Sequence, residues 1–144
     1  MKILSDQEMR RFSAELGAKL RGGEIIELVG DIGAGKTTFV KGLAMGLGVD
    51  DDVQSPSFTI NRKYDARDGL ILNHYDFYRL NDAGILNMEI AESIEHPKSI
   101  TVIEWGETVR DVLPNDRIVI RIDYLPDVGR EIVFEIPEKF AHLC

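Results

Sequence analysis

Eight consecutive residues, Gly30-Asp31-Ile32-Gly33-Ala34-Gly35-Lys36-Thr37, have the types and spacing of a phosphate cradle, Gly-x-x-x-x-Gly-Lys-Thr. Glycines let the backbone curl without Cβ collisions, so successive N–H groups aim inward at a β-phosphate, and a helix starting at the lysine adds its positive N-terminal end. Lys36 supplies a flexible point cation between β- and γ-phosphates. Thr37 offers a hydroxyl to Mg²⁺, and Thr38, one residue further into the helix, is placed to touch an α-phosphate. The expected nucleotide-binding set is Asp31, Gly33, Ala34, Gly35, Lys36, Thr37 and Thr38, and the expected ligand is ATP with Mg²⁺. ATP is favoured over GTP because the chain has neither the Asn-Lys-x-Asp run that reads guanine nor an Asp-x-x-Gly after its second strand.

A phosphate loop also needs an acid at the end of a neighbouring strand, to hold Mg²⁺ or its water shell. Two residues qualify. Glu104 follows the apolar run Ile100-Thr101-Val102-Ile103, of the kind expected beside the strand that feeds the loop, and Asp76 follows the less apolar Leu70-Ile71-Leu72-Asn73-His74-Tyr75. Both are assigned to the site with Lys36. Ser55, Ser57 and Thr59 lie after the phosphate-loop helix, where many such proteins place a segment that senses the γ-phosphate; a Pro56-centred turn with ordinary strand hydroxyls is the equal alternative. A single histidine on a strand, such as His74, is as a rule a packed and hydrogen-bonded residue, and Trp105 fits equally well as a cap on the core.

These residues need elements to carry them. Ser5-Asp6-Gln7-Glu8 has the form of a capping box, and Met9, Phe12, Leu16 and Leu20 follow at helical spacing, which predicts a helix over 6–20. Gly22-Gly23 ends it, and 24–29 reads as a strand rich in β-branched residues running into Gly30. A helix returns over 36–47. Residues 58–64 and 70–77, separated by turn-forming 65–69, predict an antiparallel hairpin. A helix over 83–94, a strand over 99–104 and a short helix over 107–113 before Pro114 follow. Two alternating strands, 117–124 and 130–136, close the chain across Pro126-Asp127-Val128-Gly129. The pattern predicts an α/β fold, a three-layer domain like that of P-loop NTPases, with a sheet that is parallel around the nucleotide and antiparallel at one side.

The bulk properties bound the partners. The 144 residues, 44% of them hydrophobic, are enough for one core, so one domain over 1–144 is expected. Seventeen Lys and Arg against 25 Asp and Glu leave a formal charge of −8 with no contiguous basic stretch. That field disfavours tight direct binding of nucleic acid, whose non-specific affinity comes mainly from phosphate neutralisation. The single cysteine, Cys144, excludes an intrachain disulfide, no apolar run approaches membrane-spanning length, and the start turns polar too soon for a signal peptide. A reducing cytoplasm is the expected location.

Four segments together, Gly-Asp-Ile-Gly-Ala-Gly-Lys-Thr-Thr-Phe at 30–39, Ser-Pro-Ser-Phe-Thr at 55–59, His-Tyr-Asp-Phe-Tyr-Arg-Leu at 74–80 and Ile-Glu-Trp at 103–105, resemble the bacterial TsaE (YjeE) family in order and spacing. The resemblance spans nearly the whole chain. It implies an ATPase that supports formation of the N6-threonylcarbamoyl group on adenosine 37 of tRNA by docking on a TsaD–TsaB transferase pair, with tRNA met only indirectly. It also implies Lys36 as the phosphate lysine, Thr37 and Glu104 as Mg²⁺ ligands, Asp76 as an acid important for hydrolysis and Trp105 as the second half of a Glu-Trp pair. Ser55 and Thr59 fall in the family's switch-like loop, Ser57 stands where Thr is frequent, and Arg130 matches an arginine near the nucleotide. Two other uses of the same loop are a small-molecule kinase and a nucleotide switch without hydrolysis. A kinase lid rich in arginine is not visible, since Arg62, Arg67 and Arg79 are scattered over strands and a turn.

Overall fold

The computed structural model describes residues 2–3, 5–30, 34–50, 61–77, 86–126 and 129–143. The capping box forms as its sequence dictates: Ser5 is extended and its hydroxyl accepts the Glu8 N–H at 3.1 Å, which starts α1 (Asp6–Lys19). Asp6 and Glu8 lie at the positive end of this helix and Lys19 at its negative end. A seam of small residues then sets how closely α1 meets α2 (Lys36–Gly46). A Cβ on Gly46 would collide with the Ala14 carbonyl, and one on Gly42 with the Ser13 hydroxyl, so the two backbones touch where larger residues would hold them apart.

The helices lie against one seven-stranded sheet in the order β1-β7-β6-β2-β5-β4-β3. The strands are β1 (Lys2–Ile3), β2 (Ile25–Val29), β3 (Asn61–Asp65), β4 (Ile71–Asp76), β5 (Ser99–Glu104), β6 (Ile118–Leu125) and β7 (Gly129–Glu135). Beside β2, β5 and β6 run parallel, and β4 is parallel to β5. Strand parity separates two cores. Ile26, Leu28, Leu72, Ile100, Val102, Ile120 and Ile122 point toward α1 and α2, where Phe39, Val40 and Leu43 meet them. Ile25, Tyr75, Phe77 and Ile103 point to the other face, under α3 (Leu86–Glu95) and the 3₁₀ helix Gly106–Val112. The result is three layers in an α/β fold, as the sequence predicts.

Three differences from the sequence reading have physical reasons. The sheet is antiparallel at both edges, β3 against β4 on one side and β6–β7–β1 on the other, because the final hairpin continues the sheet. Lys2–Ile3 adds a two-residue edge strand that is too short to show any periodicity. The third is that the segment over 70–77 is more than half a hairpin: β4 also pairs with β5 along its length, which explains its mostly buried pattern. Of the predicted elements, 58–60 and 83–85 lie outside the described residues.

The loop between β3 and β4 carries a residue whose sequence gives no hint of its role. Arg67 donates to Gly17 O at 3.3 Å, Ala18 O at 3.0 Å, Leu20 O at 2.8 Å and Gly46 O at 3.1 Å. These are carbonyls at the C-terminal ends of α1 and α2, where intrahelical donors run out; Gly17 O also accepts from the Leu20 cap N–H at 3.2 Å.

Candidate functional site

Strand β2 delivers Gly30 to the head of the sheet, and α2 leaves from Gly35. Gly35 has φ 108°, a left-handed conformation strained for any residue with a Cβ, and it serves as the N-cap without any side-chain capping bond. The first turn of α2 contains no acid. The helix thus presents its positive end at the C-terminal end of the central strand β2, the local condition for receiving an anion. Asp31 and Gly33 lie outside the described residues. Ala34 is buried, and Thr37 and Thr38 are half-buried on the first turn.

Lys36 is only 6% exposed. Its Nζ donates to Gly30 O at 2.7 Å and lies 3.9 Å from the centroid of the Trp105 ring, a cation–π contact. Trp105 reaches that position because it adopts φ 57°, ψ 50°, turning the chain sharply at the end of β5. Between Gly30, Lys36, Trp105, Gly106 and Arg121 lies a cavity of about 310 Å³.

The two acids come together. Parallel pairing of β4 and β5 sets Asp76 opposite Glu104, and pairing of β5 with β2 sets Glu104 opposite Leu28, two residues before Gly30. Asp76 is half-buried and Glu104 is 3% exposed. Among the described residues no group of three or more His, Cys, Asp or Glu side chains could by itself hold a metal ion. The donor set of two acids and the Thr37 hydroxyl suits Mg²⁺, which is bound through one or two carboxylates with substrate phosphates and water completing its shell. Arg130 also reaches this end of the sheet: its side chain lies 3.4 Å from where a Gly35 Cβ would stand, and its guanidinium sits 5.1 Å from the Tyr124 ring centroid. Ser55, Ser57 and Thr59 lie outside the described residues.

His74 is the site residue that the sequence reading leaves in the core. It is buried and hydrogen-bonded, as expected of a strand histidine, but its partner is the site acid: Nε2 lies 2.6 Å from Glu104 Oε2. The signal available in sequence was its spacing, two residues before Asp76 and therefore on the same face of β4.

On the other face, Glu27 is also buried but is answered by Arg117 Nε at 2.8 Å and by Arg110 at 3.9 Å, which tie β2 to the segments after β5. Nearby in that layer, burial pushes the Tyr75 hydroxyl above its ordinary pKa; a hydrogen bond with Ser93 works against this and the charge of Glu89 adds to it. No helix among the described residues is long and apolar enough to cross a membrane.

Comparison with known proteins gives the chain a family. Residues 3–132 match the family model described as "Threonylcarbamoyl adenosine biosynthesis protein TsaE". A Treponema pallidum protein named tRNA threonylcarbamoyladenosine biosynthesis protein TsaE is 39% identical over 128 residues, 89% of this chain and 93% of that protein. The Bacillus subtilis protein of the same name is 34% identical over 145 residues, covering 99% of this chain and 89% of the relative. Among solved structures, the crystal structure of Bacillus subtilis YdiB superposes with a TM-score of 0.79 at 31% identity, covering all of this chain and 89% of that one. The match over residues 3–132, with relatives 34–39% identical along most of both chains and a shared fold, makes this chain a member of the TsaE family.

Proposed function

We propose that the chain binds ATP with Mg²⁺ at the head of β2 and hydrolyses it slowly, in support of threonylcarbamoyl transfer to adenosine 37 of tRNA by a TsaD–TsaB pair on which it docks. The observation that carries this reading is the buried Lys36 ammonium at the glycine-capped N-terminus of α2, packed on Trp105, which follows Glu104, the residue paired with Asp76. Lys36 and the main-chain amides at the start of α2 bind the phosphates and stabilise the negative charge that spreads during cleavage. Thr37 and Glu104 would hold Mg²⁺, which supplies further charge neutralisation on the phosphates. Asp76, two residues after His74 on the same face, is placed to orient a water for attack on the γ-phosphate. Trp105 covers Lys36 on one side and limits the access of bulk solvent.

No residue of the sequence stands out as an arginine finger, a group that contributes about 10³–10⁵ in rate. Slow turnover alone and faster turnover with the partner follow. The charge of −8 supports docking on a basic protein surface in place of direct capture of tRNA. The test is phosphate release by the wild type and by Lys36→Ala, each with and without the transferase pair. Wild-type release that rises with the pair and vanishes in the variant is expected; equal release by both proteins overturns the site, and rapid transfer of phosphate to a metabolite would make the protein a kinase.

A further inference from the structure

We infer that His74 is a positioning residue for Glu104, fixing which carboxylate oxygen is presented to Mg²⁺. The inference rests on the nucleotide site proposed above and adds a residue to it. The side chain of His74 is wholly excluded from solvent, and that of Glu104 is 4% exposed. Parallel pairing of β4 and β5 brings them together through the backbone, since His74 is opposite Val102 and Asp76 is opposite Glu104, all on the face that carries α2. The Nε2–H donates to Glu104 Oε2 over 2.6 Å, a short charge-assisted bond in an apolar setting that includes Leu72 and Val102.

The pairing is not explained by satisfying the histidine. Nδ1 is buried and has no hydrogen-bond partner among the described residues. A histidine kept only to fill the core would be replaceable by an apolar side chain, whereas this one leaves a nitrogen without a partner while its other nitrogen holds the acid. Nε2 is thus the ring nitrogen that engages an acid, and an Nε2–H opposite a carboxylate oxygen donates to it. With Oε2 engaged, Oε1 is the oxygen left for a cation at the strand end. No other described side chain bonds this carboxylate. Removing the imidazole would let the Glu104 side chain rotate among rotamers and would leave Oε2 buried without a donor. Outer groups that orient metal ligands in this way typically account for about 10–100-fold in metal affinity.

The test measures binding, not turnover. A non-hydrolysable ATP analogue is titrated calorimetrically into the wild type, His74→Gln and His74→Leu, first in EDTA and then across a Mg²⁺ series. The Gln amide nitrogen reaches about as far as Nε2, so His74→Gln should match the wild type within about threefold. In His74→Leu the Mg²⁺ concentration giving half of the metal's effect should rise about 10–100-fold, with affinity in EDTA unchanged. Should His74→Leu fail to fold in a thermal melt, His74→Asn serves instead, because its shorter amide reaches only the Nδ1 position. A folded Leu or Asn variant with wild-type Mg²⁺ response overturns the inference, as does a Gln variant that falls as far as they do or a loss that is equal in EDTA. A wild type that binds the analogue with no response to Mg²⁺ removes the metal site itself, and a wild type that does not bind the analogue removes the nucleotide reading as well.

Discussion

The two ends of the parallel strands treat the same two helices in opposite ways. At the foot, the carbonyls that end α1 and α2 converge on the Arg67 guanidinium, and Glu24, fully buried, accepts from Arg21 N at 2.8 Å, Gly22 N at 2.7 Å and His142 Nε2 at 2.8 Å. Lys19, Arg21, Arg67 and Lys98, dispersed in sequence, meet around a cavity of about 490 Å³ there. That foot looks like an anion site by charge alone. Its cations, however, stand at helix C-termini, where they answer the negative pole of each macrodipole. At the head, the N-cap of α2 is a glycine with no side-chain bond, and the residue that follows is a buried lysine. A cation at a helix N-terminus adds to a potential of its own sign, an arrangement that costs about 0.3–1 kcal/mol until an anion arrives. Positive charge therefore points to the proposed binding site at the end where it adds to the helix potential, not where it answers it.

The contrast breaks most readily at Lys36. Lys36→Ala should weaken binding of an ATP analogue by at least ~100-fold, about 2.8 kcal/mol, while urea unfolding moves by less than about 1 kcal/mol. Unchanged affinity in calorimetry would mean that the head is no more a phosphate site than the foot. Arg67→Ala should do the reverse. Loss of a charged donor to four helix-end carbonyls should lower stability by about 2–3 kcal/mol in urea titration, with analogue affinity unchanged in the folded protein. If affinity fell and stability held, the two ends would not be separate devices.

The difference between the ends also marks what could be read from the sequence. The residues proposed for the head could be picked out because they are local in sequence. Gly30 to Thr37 are contiguous, and Glu104 and Asp76 each close a recognisable strand, so a one-dimensional pattern is enough to propose the loop and both acids. Their adjacency depends on β4 pairing with β5 across more than twenty residues, and the hairpin signal in 58–77 pointed only to β3. His74 was missed for the same reason, since its partner is thirty residues away. The foot was almost wholly illegible. Arg67 reaches carbonyls on helices some twenty to fifty residues distant, and nothing in Asp65-Ala66-Arg67-Asp68-Gly69 distinguishes it from a solvated turn residue.

A smaller effect sharpens the account of how the helices meet. Gly46→Ala places a Cβ against the Ala14 carbonyl and must push α1 from α2, at a cost of about 1–3 kcal/mol. Denaturant curves should show this loss even though alanine is the better helix former. A gain in stability would show that the seam between α1 and α2 is looser than described.

The smallest effect lies on the opposite face of the sheet, which serves neither end, and it should appear only in alkali. Tyr75 is raised from 10.0 chiefly by burial, so above that pH an unfolded chain loses the phenol's proton while the folded chain keeps it. The folded state then binds more protons, and stability must fall as pH rises from about 10 through the native pKa. Tyr75→Phe removes this drain. At pH 7 it should cost about 1 kcal/mol or less, because Ser93 keeps its 2.9 Å contact with Thr101 when the phenol is gone. Urea titrations at pH 7 and near pH 10.5 should show the gap between wild type and variant narrowing at the higher pH. Parallel losses in both proteins would mean that the hydroxyl is hydrated, and that this face is less tightly closed than the foot of the sheet.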